Sequence, residues 1–77
     1  MQKEYSVNIE LSQINDVKEF VDLALCSSED IIVTSENNKY RVNGKSVLGL
    51  FSLDLSKPVN VESYDKEFLC AVIEHFN

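Results

Sequence analysis

Tryptophan is absent, and glycine and proline are nearly so, with two and one copies in 77 residues. Two glycines are too few for a glycine-rich phosphate-cradling loop, which needs several closely spaced. There is one histidine, His75, and it has no serine or cysteine in the spacing of a nucleophile–base pair. The two cysteines, Cys26 and Cys70, lack metal-ligand spacing and have only that histidine to join them. Each lies in an apolar helical pattern, so both are expected as reduced thiols packed in the core. Apolar runs long enough for a membrane span are missing. The opening residues, Met1-Gln2-Lys3-Glu4-Tyr5, contain no apolar core of a signal peptide. A cytoplasmic protein is the expectation. Basic residues are scarce too: 7 Lys and Arg against 13 Asp and Glu give a net charge of −6. That balance opposes nucleic-acid binding, which leans on clustered cations. The acidic residues are dispersed and serve solubility rather than forming an interaction tail.

What remains is the composition of a soluble globular protein, 44% hydrophobic and 26% charged. Residues 1–77 make one domain, and a chain this short buries only about 60% of its unfolded surface, so modest stability is expected. There are no repeats and no low-complexity segments.

Residues 3–10 alternate, with Tyr5, Val7 and Ile9 on one face of a first strand. The first helix is predicted to start near Asp16, which with Glu19 fits a capping box. Val17, Phe20, Val21, Ala24 and Leu25 form its apolar face, joined by Leu23. Ile31–Ser35 is a β-branched second strand, and Glu36–Lys39 is a hairpin loop suited to the two asparagines. Tyr40–Asn43 is a third strand. Val59–Ser63, just after Pro58, alternates as a fourth. Asp65 is the expected cap of a last helix with Phe68, Leu69, Val72, Ile73 and Phe76 inward. The order β-α-β-β-α-β-α implies an α+β fold: a four-stranded antiparallel sheet with three helices on one face.

The chain is organised around Asn43–Leu53, which holds both glycines. Val47, Leu48, Leu50, Phe51 and Leu53 follow helical offsets, and Ser46 precedes them where an N-cap belongs. Two readings of Ser46 stand: a plain helix cap, or a serine placed where an added phosphate meets free backbone donors. Lys-Ser-Val-Leu-Gly-Leu-Phe-Ser-Leu, residues 45–53, resembles the regulatory-serine helix of HPr, the histidine phosphocarrier of the bacterial sugar phosphotransferase system. That family typically reads Lys-Ser-Ile-Met-Gly-Val-Met-Ser-Leu there. The resemblance implies the HPr open-faced β-sandwich, the same element order as the residues give.

HPr-like carriers hold their phosphoryl-accepting histidine in a Gly-Leu/Ile-His-Ala-Arg-Pro motif that opens the first helix. Ungapped counting back from Ser46 places that motif on Gln13–Lys18, where only Ile14 survives. Asn15 stands in the histidine position, an amide without a nucleophilic nitrogen. Val17 replaces the arginine, Lys18 the proline, and Asp16 adds a negative charge that opposes a phosphoryl donor. The resemblance therefore implies an HPr-like protein that is no enzyme and no phosphocarrier, similar to the catabolite-repression HPr paralogues that lose the histidine and keep the serine. Those paralogues keep the arginine that this chain lacks. By the same resemblance Ser46 is a candidate site for HPr kinase/phosphorylase, and partners are a LacI-type transcriptional regulator or phosphotransferase-system proteins. Neither a cofactor nor a metal is implied. The family's partner patch falls on Ile14, Phe20, Val47, Leu48 and Phe51, either as core residues or, if they cluster outside, as a docking surface. Two alternatives stand beside this reading. One is a true phosphocarrier with an unrecognised acceptor such as His75, expected far from the first helix's N-terminus. The other is a diverged HPr fold with an unrelated partner.

Overall fold

A computed structural model of the chain describes residues 5–35 and 40–76. The expected Glu36–Lys39 loop lies outside the described residues. Four strands, β1 (Tyr5–Ile9), β2 (Ile32–Thr34), β3 (Arg41–Asn43) and β4 (Val59–Ser63), alternate with three helices, α1 (Ile14–Leu25), α2 (Val47–Phe51) and α3 (Lys66–Phe76). The sheet order is β1-β4-β2-β3 and all its pairings are antiparallel.

Register explains the layering. Val61 pairs with Val7 on one side and Val33 on the other, and Val33 pairs with Val42. One β-branched residue from each strand thus forms a transverse row, in the setting where such side chains pack best. Ile9 and Val59 form the next row on the same face. Stepping one residue turns every side chain over, so the opposite face carries Asn8, Asn60, Thr34 and Arg41 in one row. That face is polar, whereas the valine row belongs to the core with Phe20, Leu50 and Val72.

The helices close over that core through aromatic contacts. Phe20 of α1 meets Phe68 edge-on, with centroids 5.7 Å apart and planes at 74°, and Phe76 at 6.2 Å. Asp65 caps α3 as expected, its Oδ1 accepting the Phe68 N–H at 3.0 Å.

Several expectations need correction. Helix α1 starts earlier than Asp16: Gln13 is the cap, and Asp16, the third helical residue, accepts the Gln13 N–H at 3.2 Å. Glu19 therefore takes no part in that cap. Leu25 is not on the buried face, and Ile73 is partly exposed on α3. Both lie at the margin of stripes whose centres, Phe20 and Val72, are fully covered. Neither cysteine is a core thiol. Cys26 is the C-cap residue of α1 and Cys70 points outward from α3, and both are free and exposed.

Candidate functional site

The turn into α2 is built by its own polar groups. Asn43 Oδ1 accepts the Lys45 N–H at 2.9 Å, and the Asn43 carbonyl accepts the Ser46 N–H at 3.0 Å. Ser46 then caps the helix, its Oγ accepting the Gly49 N–H at 3.0 Å. Glycine is needed at position 44, and the space at Gly49 is tight. A Cβ at Gly44 would stand 2.6 Å from Ile31 Cγ2, and one at Gly49 would stand 3.3 Å from Ser46 Oγ. Gly44 also donates its N–H to the Ile31 carbonyl at 2.7 Å, which brings the turn hard against β2. The Ser46 position predicted from sequence is thus a helix cap on a turn locked to the sheet.

Helix α2 leaves two large apolar side chains at the surface. Leu48 is 84% exposed and Phe51 43%, while Leu50 alone turns fully inward and Val47 is half-buried. Helix α1 lies beside α2. Its contacts with α3 run through Phe20, Leu23 and Glu19. At 100° per residue, Ile14 lies on the opposite flank, the one left for α2. Ile14 is 65% exposed. The structure therefore leaves Ile14, Leu48 and Phe51 outside on the neighbouring helices α1 and α2. Where such side chains adjoin, an exposed apolar patch marks an interaction surface.

Phe20 does not belong to that surface. It is 0% exposed and lies at the centre of the aromatic core, so its assignment as a partner residue is overturned. Leu25 was missed. Eleven residues after Ile14, it returns within about 20° of the same flank and is 60% exposed. That spacing was the signal available in sequence.

The mouth of α1 falls within Gln13–Lys18, the stretch to which ungapped counting assigns the motif. Val17, assigned to the arginine position, is fully buried, where a guanidinium would have no water and no partner. Helix α1 opens on Gln13, Ile14 and Asn15, all exposed. The side chains offered there are two carboxamides and, beside them, the Asp16 carboxylate.

His75 lies closer to this region than the sequence led one to expect. Its Nε2 is 2.9 Å from Oε2 of Glu19, one helical turn beyond Asn15. Both groups are about half exposed. Past the C-terminal end of α1, Ser27 Oγ donates to Asp65 Oδ2 at 2.6 Å, and Lys45 Nζ donates to the Ser27 carbonyl at 2.8 Å. The Ser27 hydrogen bond, with that from Phe68, holds the Asp65 carboxyl below its ordinary range. Ser56 does the same for Asp54. Among the described residues no three His, Cys, Asp or Glu are grouped to hold a metal ion, and no helix is long and apolar enough to cross a membrane.

No protein-family model matches the sequence, and no curated protein does. A solved structure does. The chain superposes on the crystal structure of HPr-C-His from Thermoanaerobacter tengcongensis with a TM-score of 0.73 at 27% identity. The match covers 96% of this chain and 90% of the other. The chain has the HPr-like fold, an α+β sandwich of a four-stranded antiparallel sheet and three helices.

Proposed function

We propose that this HPr-like domain is a protein-binding, regulatory module rather than a phosphocarrier or an enzyme. It acts through the surface formed by Ile14, Val47, Leu48 and Phe51, with Leu25 extending it along α1. The observation that carries this reading is the exposure of Leu48 and Phe51 on a helix whose backbone is fixed by the Asn43–Ser46 turn. A rigid element presenting a large aliphatic side chain and an aromatic one is the usual make-up of an interface anchor. A phosphotransferase-system protein or a LacI-type regulator is the class of partner, as the HPr likeness implies.

Carrier chemistry lacks its acceptor in this reading. The mouth of α1 carries Gln13 and Asn15, and the sole histidine in the sequence is His75. A carboxamide nitrogen has no available lone pair for attack on phosphorus.

Ser46 is the proposed point of regulation. A kinase would pass the γ-phosphoryl of ATP to Ser46 Oγ, with loss of the hydroxyl proton and release of ADP. The Gly49 N–H, already aimed at that oxygen, would then meet a phosphate of charge about −2. The dianion would sit at the edge of the Leu48–Phe51 surface and change which partners it accepts.

A second reading rests on the His75–Glu19 pair. A carboxylate on Nε2 fixes the tautomer and leaves Nδ1 with its lone pair, as a phosphoryl acceptor requires. Intact mass with site mapping separates the two. Incubation with ATP and HPr kinase should add one acid-stable phosphate at Ser46, and Ser46→Ala should abolish it. An acid-labile phosphate on His75 after incubation with phosphoenolpyruvate and Enzyme I would instead make the protein a carrier. Absence of both would leave a binding domain in which Ser46 is only a cap, to be tested by Leu48→Asp and Phe51→Ala in partner capture.

A further inference from the structure

The three helices meet at one chain of polar groups that the docking surface does not use. Helix α1 has no basic residue in its last turn. A helix C-terminus leaves carbonyls unpaired and favours a nearby cation. The cation comes from another element: Lys45, half-buried in the α2 turn, places Nζ 2.8 Å from the Ser27 carbonyl, just past the end of α1. The hydroxyl of the same serine, itself buried, donates to Asp65 at 2.6 Å and accepts the Glu29 N–H at 3.2 Å. Asp65 caps α3 with its other oxygen and donates its N–H to Ser63 Oγ at 2.9 Å, and Ser63, at the end of β4, is buried. The start of α2, the end of α1 and the start of α3 are thus stitched through Lys45, Ser27 and Asp65.

We infer that Lys45 is a positioning residue that couples the Ser46 site to the α1–α3 junction through Ser27 and Asp65. The coupling deepens the regulatory reading of Ser46 given above and rests on it for its biological use. Lys45 adjoins Ser46, and its backbone is held by Asn43. A negative charge at Ser46 competes with the Ser27 carbonyl for the ammonium of the adjoining Lys45. When Lys45 turns to that charge, the Ser27 carbonyl loses its partner and the α1 terminus loosens. The change reaches the groove floored by Ser27 and Asp65 between α1 and α3, about 230 Å³ in volume. Modification at one surface is thereby read at another, because polar groups in a partly buried network depend on one another.

Amide hydrogen exchange on the full chain tests this directly, since Glu29 and Phe68 report the two far links. In the unmodified protein, Lys45→Met should speed exchange at both amides about fivefold, the loss expected of one hydrogen bond. The Val61 amide in the sheet should not change, and Lys45→Arg should restore protection. Uniform acceleration that includes Val61 would mean simple destabilisation, and no change at Glu29 and Phe68 would mean no relay. Either result overturns the coupling. Ser46→Glu should speed the Glu29 amide in the parent chain but add nothing in the Lys45→Met background. An equal effect in both backgrounds would also overturn it. Failure of HPr kinase to modify Ser46 would refute the regulatory reading while leaving the exchange results to stand by themselves.

Discussion

Phe20→Ala and Phe51→Ala remove the same atoms from two places, and their contrast decides whether the interior and the surface have been told apart correctly. Phe20 is fully buried against Phe68 and Phe76, so truncation leaves a cavity and dissolves both ring contacts. Such a loss costs about 3–5 kcal/mol. A 77-residue chain has a total stability of about 4–12 kcal/mol at ordinary values per residue, so Phe20→Ala removes a large part of it. At about 4–8 °C per kcal/mol for a domain of this size, the melting midpoint should fall by at least about 12 °C. Phe51 is 43% exposed, so truncation forfeits only part of the apolar transfer energy, about 1 kcal/mol. Urea unfolding followed by far-ultraviolet circular dichroism measures both, with the slope checked for two-state behaviour. Equal costs for the two variants, or a cost under about 1.5 kcal/mol for Phe20→Ala, would refute the division between core and docking surface.

Three further outcomes follow from local geometry. Gly44→Ala forces a Cβ to within 2.6 Å of a branched carbon of buried Ile31, so it should cost about 1–3 kcal/mol by overpacking; the penalty should shrink in an Ile31→Ala background, and urea midpoints of the double mutant check that. Ser46→Ala removes the oxygen that accepts the Gly49 N–H and should cost about 1 kcal/mol, while Ser46→Asp, which still caps, should recover most of it in the same assay. Asp65 has its folded pKa depressed by the Ser27 and Phe68 hydrogen bonds. Its contribution is therefore complete above its unfolded value near pH 4 and is lost as pH falls through the lower folded value. Thermal midpoints of Asp65→Ala should thus lie below those of the parent at pH 7 and converge on them in strong acid.

Much of this was legible in the sequence because it depends on neighbours along the chain. Strand alternation in Val59–Ser63, the Ser46 cap and the Asp65 cap each need only two to four adjacent residues, and each stands as read. The failures involve the angle at which an element meets the rest. Phe20 and Leu25 both satisfy a helical apolar pattern, yet α1 is covered on one flank by α3 and left open beside α2, so one is interior and the other exposed. Cys26 looked buried for the same reason until the helix ended at it. Distant pairs carried no local mark. Glu19 fitted a capping box by spacing, but its carboxylate goes to His75, and Lys45 reaches back to Ser27. The start of α1 was read too late, near Asp16, because Asp16 and Glu19 imitate by spacing a capping box that Gln13 and Asp16 form instead. The hydrogen bonds between Gln13 and Asp16 place the cap at Gln13 and the first helical residue at Ile14.

The sheet order has a consequence in time. Among the described residues, 5–9 have a single neighbour in the sheet, 59–63, with Tyr5 opposite Ser63. The first of these four strands must wait until residues 59–63 have been synthesised before it finds its place. Contacts so distant in sequence close loops at an entropic cost that nothing nearby offsets, and they slow folding. A chain halted on the ribosome before residue 59 would hold β2 beside β3 but leave Val7 and Ile9 without β4, the strand they pair with. Such a nascent chain would expose β-forming apolar residues to whatever strand or chaperone is at hand.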